Sequence, residues 1–275
     1  MSKNIQMIAL DLDGTALMRD HLQEAPGIVE ALDRSWQKGI RIIPVTGRPW
    51  GMLPPMFREK RDWYSYGIFC NGAQLRDLRT GEILQARPVT TEILDLLAEI
   101  SVQYGIAVEF CSGGKMYLTR NSWEQEKQNE KLFFHCTQVL ETRGVTVDSL
   151  KELRDRSVEK VNLNGVPEKL RNIVNEIFRE HGLCCAWSGE NGELTHPEAT
   201  KGKMLETLCR MVEIPMSSVM ALGDSENDLS MLKAAGLGVA MGNAKDAVRQ
   251  AADAVTLTNE QGGAAEAIRK YILDE

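Results

Sequence analysis

Short apolar runs and one-sided helical stripes take turns along the first part of the chain. The run Met7-Ile8-Ala9-Leu10 has the length and uniformity of a buried strand, and the spacing predicts strand over 5–10. After a polar, Asp-rich turn, Pro26 opens a helical pattern in which Ile28, Val29, Leu32 and Trp36 share a face, and Gly39 closes it. A second strand is predicted over 40–45, stopping at Thr46-Gly47-Arg48-Pro49. A poorer helix follows and is broken near Pro54-Pro55. A third strand, 66–70, stops at Asn71-Gly72-Ala73. This alternation is the grammar of a parallel sheet with helices on its faces. Each strand ends in a polar, glycine-containing turn, and open α/β sheets bind ligands at such carboxyl ends.

The pattern then changes. Two short stretches flank Arg79-Thr80-Gly81 as a hairpin would. Ile93, Leu97, Ile100 and Tyr104 form the stripe of a helix over 91–104. Residues 106–110 and 116–118 read as a hairpin around Ser112-Gly113-Gly114. The stretch 123–131 reads as a solvated helix, 158–163 as a half-buried strand and 183–187 as a further strand. Leu170, Ile173, Val174, Ile177 and Phe178 make another helix stripe. Hairpins mixed with helices predict an α+β module, residues 81–189, inserted between the core segments 1–80 and 190–275.

The α/β grammar resumes with a stripe of Met204, Leu205, Leu208, Met211 and Val212. A strand over 218–222 ends at Gly223-Asp224-Ser225-Glu226-Asn227-Asp228. A helix then stops at Gly236, and a strand over 237–241 ends at Gly242-Asn243-Ala244. A short helix, a strand over 254–257 and a final helix to Ile272 complete the pattern.

Composition narrows the function classes. A chain of 275 residues buries a substantial core. The net charge of −7 and the lack of a basic run argue against nucleic-acid binding. Six cysteines without a C-x-x-C pair point to reduced thiols and a cytoplasmic setting. His21, His135, His181 and His196 lack metal-ligand spacing, which argues against zinc. Neither a signal peptide nor a membrane-spanning run is evident.

The chemistry gathers at strand ends. In Asp11-Leu12-Asp13-Gly14-Thr15, two carboxylates two residues apart on extended chain point the same way. At about 4 Å, two such charges repel by roughly 4 kcal/mol at an effective dielectric of about 20, so the pair keeps a proton or collects a cation. A calcium loop of the EF-hand type needs a glycine and a glutamate where Ala16 and Leu22 stand. Asp224 and Asp228 bring a second acidic cluster to another strand end. Ser225-x-x-Asp228 also has the spacing of a capping box, which accounts for Ser225 and Asp228 but not for Asp224. Carboxylates with a backbone carbonyl are the ligands Mg²⁺ prefers. Thr46-Gly47 offers a hydroxyl and an open N–H to a phosphate oxygen, or equally an N-cap. Lys201 stands at a helix start, where a cation opposes the macrodipole unless an anion is near, with Lys203 as its rival.

The motifs Asp11-Leu12-Asp13-Gly14-Thr15, Thr46-Gly47-Arg48, Asn71-Gly72-Ala73, Lys201-Gly202 and Gly223-Asp224-x-x-Asn227-Asp228 occur in an order that resembles the haloacid dehalogenase (HAD) superfamily. The large insert resembles the C2-type (C2B) cap of its Cof-like phosphatases. The resemblance implies a Rossmann-like parallel-sheet core with an inserted, mobile α+β cap. It implies Asp11 as nucleophile, Asp13 as acid and base, and Mg²⁺ on Asp11, the Asp13 carbonyl and Asp224, with Asp228 in support. Thr46, Gly47 and Lys201 would hold the phosphoryl group, Asn227 would orient Lys201 or the phosphate, and Arg48 and Asn71 would meet the substrate. Glu198-Ala199-Thr200 departs from the Gly-Val-Ser that often precedes this lysine.

The activity implied is hydrolysis of a small phosphorylated metabolite through an aspartyl phosphate. Sugar phosphates come first as substrates, with pyridoxal phosphate and flavin mononucleotide open. A sugar phosphomutase using the same intermediate and a non-enzymatic phosphometabolite sensor are the alternatives. Lys115, Tyr117, Arg120 and Trp187 are the candidate cap contacts. No membrane or nucleic-acid partner is expected, and no protein partner is indicated.

Overall fold

Strand β1 (Met7–Leu10) has no exposed residue, the condition of a strand covered on both faces of a parallel sheet. It is flanked by β2 (Arg41–Pro44) and, from far along the chain, by β12 (Val219–Gly223). β13 (Leu237–Ala240) and β14 (Ala254–Val255) complete a five-stranded parallel sheet in the order β14-β13-β12-β1-β2. In this computed structural model the described residues are 4–54, 57, 61–89, 93–129 and 144–274. Pro55, Thr91, Lys131, His135 and Cys136, which carry expectations above, lie outside them.

The chain leaves β1 toward β2 on one side and returns at β12 on the other. The strand order therefore reverses between β1 and β12, and the crevice at their carboxyl ends is the place where such sheets bind ligands. The register is direct: Leu10 pairs with Leu222, and the Asp11 amide donates to the Leu222 carbonyl at 3.0 Å. Asp11 and Asp224 thus emerge from neighbouring strands.

On one face, Met7, Ala9, Ile43 and Val219 pack with Met204, Leu205 and Leu208, and with Met231, Leu232 and Val248. The latter six belong to the helices over 201–211, 229–234 and 246–251. Helix α1 (Ile28–Gln37) contacts β2 and the helix over 263–268 and contributes nothing to that cluster, so it covers the other face. Its buried positions are Ile28, Ala31, Leu32 and Ser35. Trp36, assigned to this stripe from the sequence, is 44% exposed, because the buried line runs through 31 and 35. Met211 and Ile173 likewise fall off the buried lines of their helices and are largely exposed.

β3 (Tyr66–Phe69) joins β2 through one parallel bridge, Val45 to Ile68, and continues as an antiparallel meander with β4 (Gln74–Asp77) and β5 (Ile83–Ala86). These elements belong to one compact unit of Met1–Gly47, Pro54–Gln85 and Thr200–Glu275.

The other unit takes Arg48–Leu53 and Ala86–Ala199. Its strands are β6 (Ala107–Ser112), β7 (Lys115–Thr119), β8 (Gly144–Val147), β9 (Lys160–Asn164), β10 (Cys184–Ser188) and β11 (Asn191–Thr195). They form one sheet in the order β10-β11-β9-β6-β7-β8, antiparallel except for β7 with β8. Alternate residues Val108, Phe110, Val161, Leu163 and Leu194 meet α2 (Ile93–Tyr104) and α4 (Glu168–Glu180) in an apolar cluster. Pairing of β11 with β9 and β10 carries this unit past the expected boundary at 190, to 199. Helix α3 (Arg120–Gln128), expected to be solvated, buries Ser122 and Glu126, and the Asn164 side chain donates to Glu126 at 2.9 Å.

Of the candidate cap contacts, Tyr117 and Trp187 belong to or pack on the apolar cluster. The Arg156 guanidinium stands 4.8 Å from the Tyr117 ring, and Trp187 Nε1 donates to Asn175. Lys115 is exposed, and Arg120 pairs with Asp148 at 3.4 Å.

Candidate active site

The loop leaving β1 is irregular. Asp11 is extended and Gly14 is left-handed, with φ 77. A Cβ at Gly14 would stand 2.3 Å from Asp224 Oδ2, so both the backbone and the space require glycine. This glycine lets the first acidic loop close on the second.

At the end of β12, Asp228 has two tasks. Its Oδ2 accepts from the amides of Asp224 and Ser225, both at 3.0 Å, which completes the capping box the spacing predicts. Its Oδ1 accepts from Lys201 Nζ at 2.6 Å. Lys201 is the first residue of α5 (Lys201–Met211), whose N-cap Thr200 accepts from the Lys203 amide. Nζ also donates to Asp11 Oδ1 at 2.7 Å. Lys201 is 1% exposed, whereas Lys203 is exposed. Two carboxylates therefore offset the unfavourable placement of a cation at a helix start. Gly202 seats α5 against the Ser230 backbone, and its amide donates to Ser230 Oγ.

Burial alone disfavours charge on Lys201, but the fields of Asp11 and Asp228 outweigh it and hold the ammonium above its ordinary range. Burial, and then the charge of Asp228, raise Asp11 well above the usual carboxylate range despite Lys201. Asp224 is pushed up to about 6, first by burial and then by Asp228. Three carboxylates face one ammonium here, so acidic groups outnumber the cation.

Thr46 is fully buried at the end of β2, with its amide on the Ile68 carbonyl and its carbonyl accepting from the Asn71 amide. The next turn, Trp50–Met52, has Pro49 as its N-cap, so Thr46 is not a cap. A Cβ at Gly47 would stand 2.9 Å from Asn71 Oδ1. Asn71 is left-handed, with φ 58, and accepts from Asn227 Nδ2 at 3.0 Å. Asn227 thus holds Asn71; no bond joins it to Lys201, and its own Oδ1 is buried without a hydrogen-bond partner among the described residues. Arg48 lies in the other unit, where its guanidinium donates to the Met52 carbonyl.

A family model described as haloacid dehalogenase-like hydrolase matches residues 8–268. The chain belongs to this family. Phosphatase YwpJ of Bacillus subtilis is 30% identical over 293 residues, spanning 98% of this chain and 100% of its own. The pyridoxal phosphate phosphatase YbhA of Escherichia coli is 30% identical over 281 residues, spanning 98% and 99%. Among solved structures, the HAD subclass IIB sugar phosphatase BT4131 superposes with a TM-score of 0.82 at 25% identity, covering 97% of this chain and 98% of that one. The protein is a HAD phosphatase of the Cof-like type.

In this HAD site, one carboxylate oxygen each from Asp11, Asp224 and Asp228 lie within 4.8 Å of one another. The donor set is hard oxygen, and the excess negative charge is what a divalent cation cancels, so these residues fit Mg²⁺. The oxygens of Asp228 are already engaged by Lys201 and two amides. Two neighbours were not assigned from the sequence. Asn243 donates to Asp224 Oδ2 at 3.2 Å and to the Gly14 carbonyl at 2.9 Å, tying the acidic loops together. His21 Nδ1 lies 2.7 Å from Asp13 Oδ1. Position after a strand was the available signal for Asn243; nothing local marks His21. Cys70, Cys111, Cys185 and Cys209 are not in disulfides, and no helix among the described residues is long and apolar enough to cross a membrane.

Proposed function

We propose that this protein is a Mg²⁺-dependent phosphatase that hydrolyses small phosphomonoesters, sugar phosphates first, through an aspartyl phosphate on Asp11. The observation that carries the reading is the buried Lys201 bridge between Asp11 and Asp228, beside Asp224 at the switch point of the sheet. A carboxylate attacks a phosphate dianion poorly unless cations screen the repulsion, and Lys201 is one such cation.

Asp11 attacks phosphorus and takes the phosphoryl group. Asp13 gives a proton to the departing oxygen, then takes one from the water that hydrolyses the acyl phosphate. Thr46, Gly47 and Lys201 bind the phosphoryl oxygens, and Asn71, oriented by Asn227, meets the substrate. Asp228 supports Lys201 and the Asp224 loop. Asp11, the Asp13 carbonyl and Asp224 would hold Mg²⁺, which when bound would supply charge compensation for the transferring group. Pyridoxal phosphate and sugar phosphates, the substrates named for two relatives, are both within this class.

The test is phosphate release from a panel of small phosphomonoesters, with Mg²⁺ and with EDTA, by wild type and Asp11→Asn. The reading expects release that needs Mg²⁺ and disappears in a folded Asp11→Asn protein. An isomerised sugar phosphate in place of free phosphate would establish a phosphomutase instead. A folded, Mg²⁺-binding protein that turns over nothing would favour a sensor.

A further inference from the structure

The residues after the first acidic loop fold back as a small hairpin. Leu17 and Glu24 form an antiparallel bridge, and the Met18 amide donates to the Gln23 carbonyl at 2.9 Å. At its tip, Asp20 Oδ1 accepts from the amides of Leu22 and Gln23, both at 2.9 Å. The His21 amide donates to the Met18 carbonyl at 3.0 Å, and the Arg19 amide donates to Glu260 Oε1 at 2.8 Å, which anchors the tip to the core unit. His21 itself is left-handed, with φ 57, a conformation that glycine adopts with less strain. This backbone turns the imidazole toward Asp13, placing Nδ1 2.7 Å from Oδ1.

Stability does not explain the pairing. His21 is 51% and Asp13 34% exposed at the side chain, and pairs so exposed add little. A non-glycine residue held left-handed by its neighbours' hydrogen bonds, with its ring on a carboxylate of the acidic loop, points to a task at that carboxylate.

We propose that His21 is a positioning residue for Asp13. Its Nδ1–H donates to Oδ1 and fixes the orientation of the carboxyl group. This rests on the phosphatase reading above, in which Asp13 is the acid and base. General acids contribute most where the leaving group is poor, and such catalysis is typically worth about 10²–10⁴-fold. A loosened Asp13 therefore slows sugar phosphates more than p-nitrophenyl phosphate, whose phenolate departs without help.

The experiment compares His21→Gly, which removes the ring and relieves the backbone, with His21→Asn, which keeps a donor at the place of Nδ1 and tolerates the left-handed region. For each, kcat and KM are measured on p-nitrophenyl phosphate and on a sugar phosphate that wild type hydrolyses, with Asp13→Ala alongside. His21→Gly is expected to lower kcat on the sugar phosphate by about 10- to 100-fold with KM unchanged, and to spare p-nitrophenyl phosphate. His21→Asn restores most of the loss. Equal loss on both substrates, no loss on the sugar phosphate, or an Asn variant as slow as Gly overturns the positioning role. Absence of any hydrolysis by wild type overturns the phosphatase reading and the inference with it, whereas an undiminished Asp13→Ala overturns the acid–base role of Asp13 on which the inference rests.

Discussion

Replacing Lys201 with Met keeps the length of the side chain and removes its charge. In the native protein the ammonium is 1% exposed and lies 2.7 Å from Asp11 and 2.6 Å from Asp228. Loss of one partner of a buried ion pair costs about 3–5 kcal/mol, because the other charges stay buried without compensation. At about 2–4 °C per kcal/mol for domains of 150–250 residues, the melting temperature should fall by roughly 10 °C near neutral pH in EDTA. Acid should relieve part of this. Asp11 already sits well above the usual carboxylate range through burial and the charge of Asp228. Without Lys201 it rises further, so the folded variant holds a proton that the unfolded chain releases, and its deficit shrinks as the pH falls. Differential scanning calorimetry in EDTA at neutral and mildly acid pH measures this. Equal melting temperatures for variant and wild type, or a deficit that grows in acid, would refute the reasoning.

Other expectations follow from the same geometry. Gly223→Ala places a Cβ 2.5 Å from Asp228 Cγ, among buried groups with little room to yield. It should cost about 1–3 kcal/mol in urea denaturation and abolish phosphate release. Asp224, pushed up to about 6, loses its charge as the pH falls through that value, so calorimetric titration should show Mg²⁺ affinity falling by about tenfold per pH unit below it. The sign for stability is opposite. The ionised Asp224 is penalised in the metal-free protein, and that penalty is fully present near neutral pH and lost as the pH drops through about 6 toward 4. Urea denaturation of the EDTA-treated protein along this pH range should therefore show the Asp224→Asn variant gaining on wild type at neutral pH and losing that advantage in acid.

The parallel sheet was legible because its signals are local. Each core strand is a short apolar run closed by a polar turn, and the acidic residues sit directly after such runs. Membership in the second sheet was less legible, since Leu194 is the one apolar side chain in β11 and its pairing with β9 and β10 is not fixed by its own residues. Burial of single residues depends on what a helix face meets, which is why Trp36 and Glu126 departed from expectation. Lys201 was separable from Lys203 only through the glycine that follows it, and the structure supplies the physical difference in the carboxylates that surround it. Asp228 shows how two readings of one spacing can both hold, since one oxygen caps and the other binds a cation. His21 could not have been read from its neighbours. Its place depends on a hairpin whose tip is tied to Glu260 at the far end of the chain.

The covalent step is the central claim, and one measurement reaches it directly. Wild type and Asp13→Ala are mixed with a phosphoryl-labelled substrate and Mg²⁺, quenched in acid within a single turnover, digested and mapped. The account predicts label on the peptide containing Asp11, with more of it accumulating in Asp13→Ala because hydrolysis lacks its base. Phosphate released at the normal rate with no label on the protein, or with label on any residue other than Asp11, would contradict it.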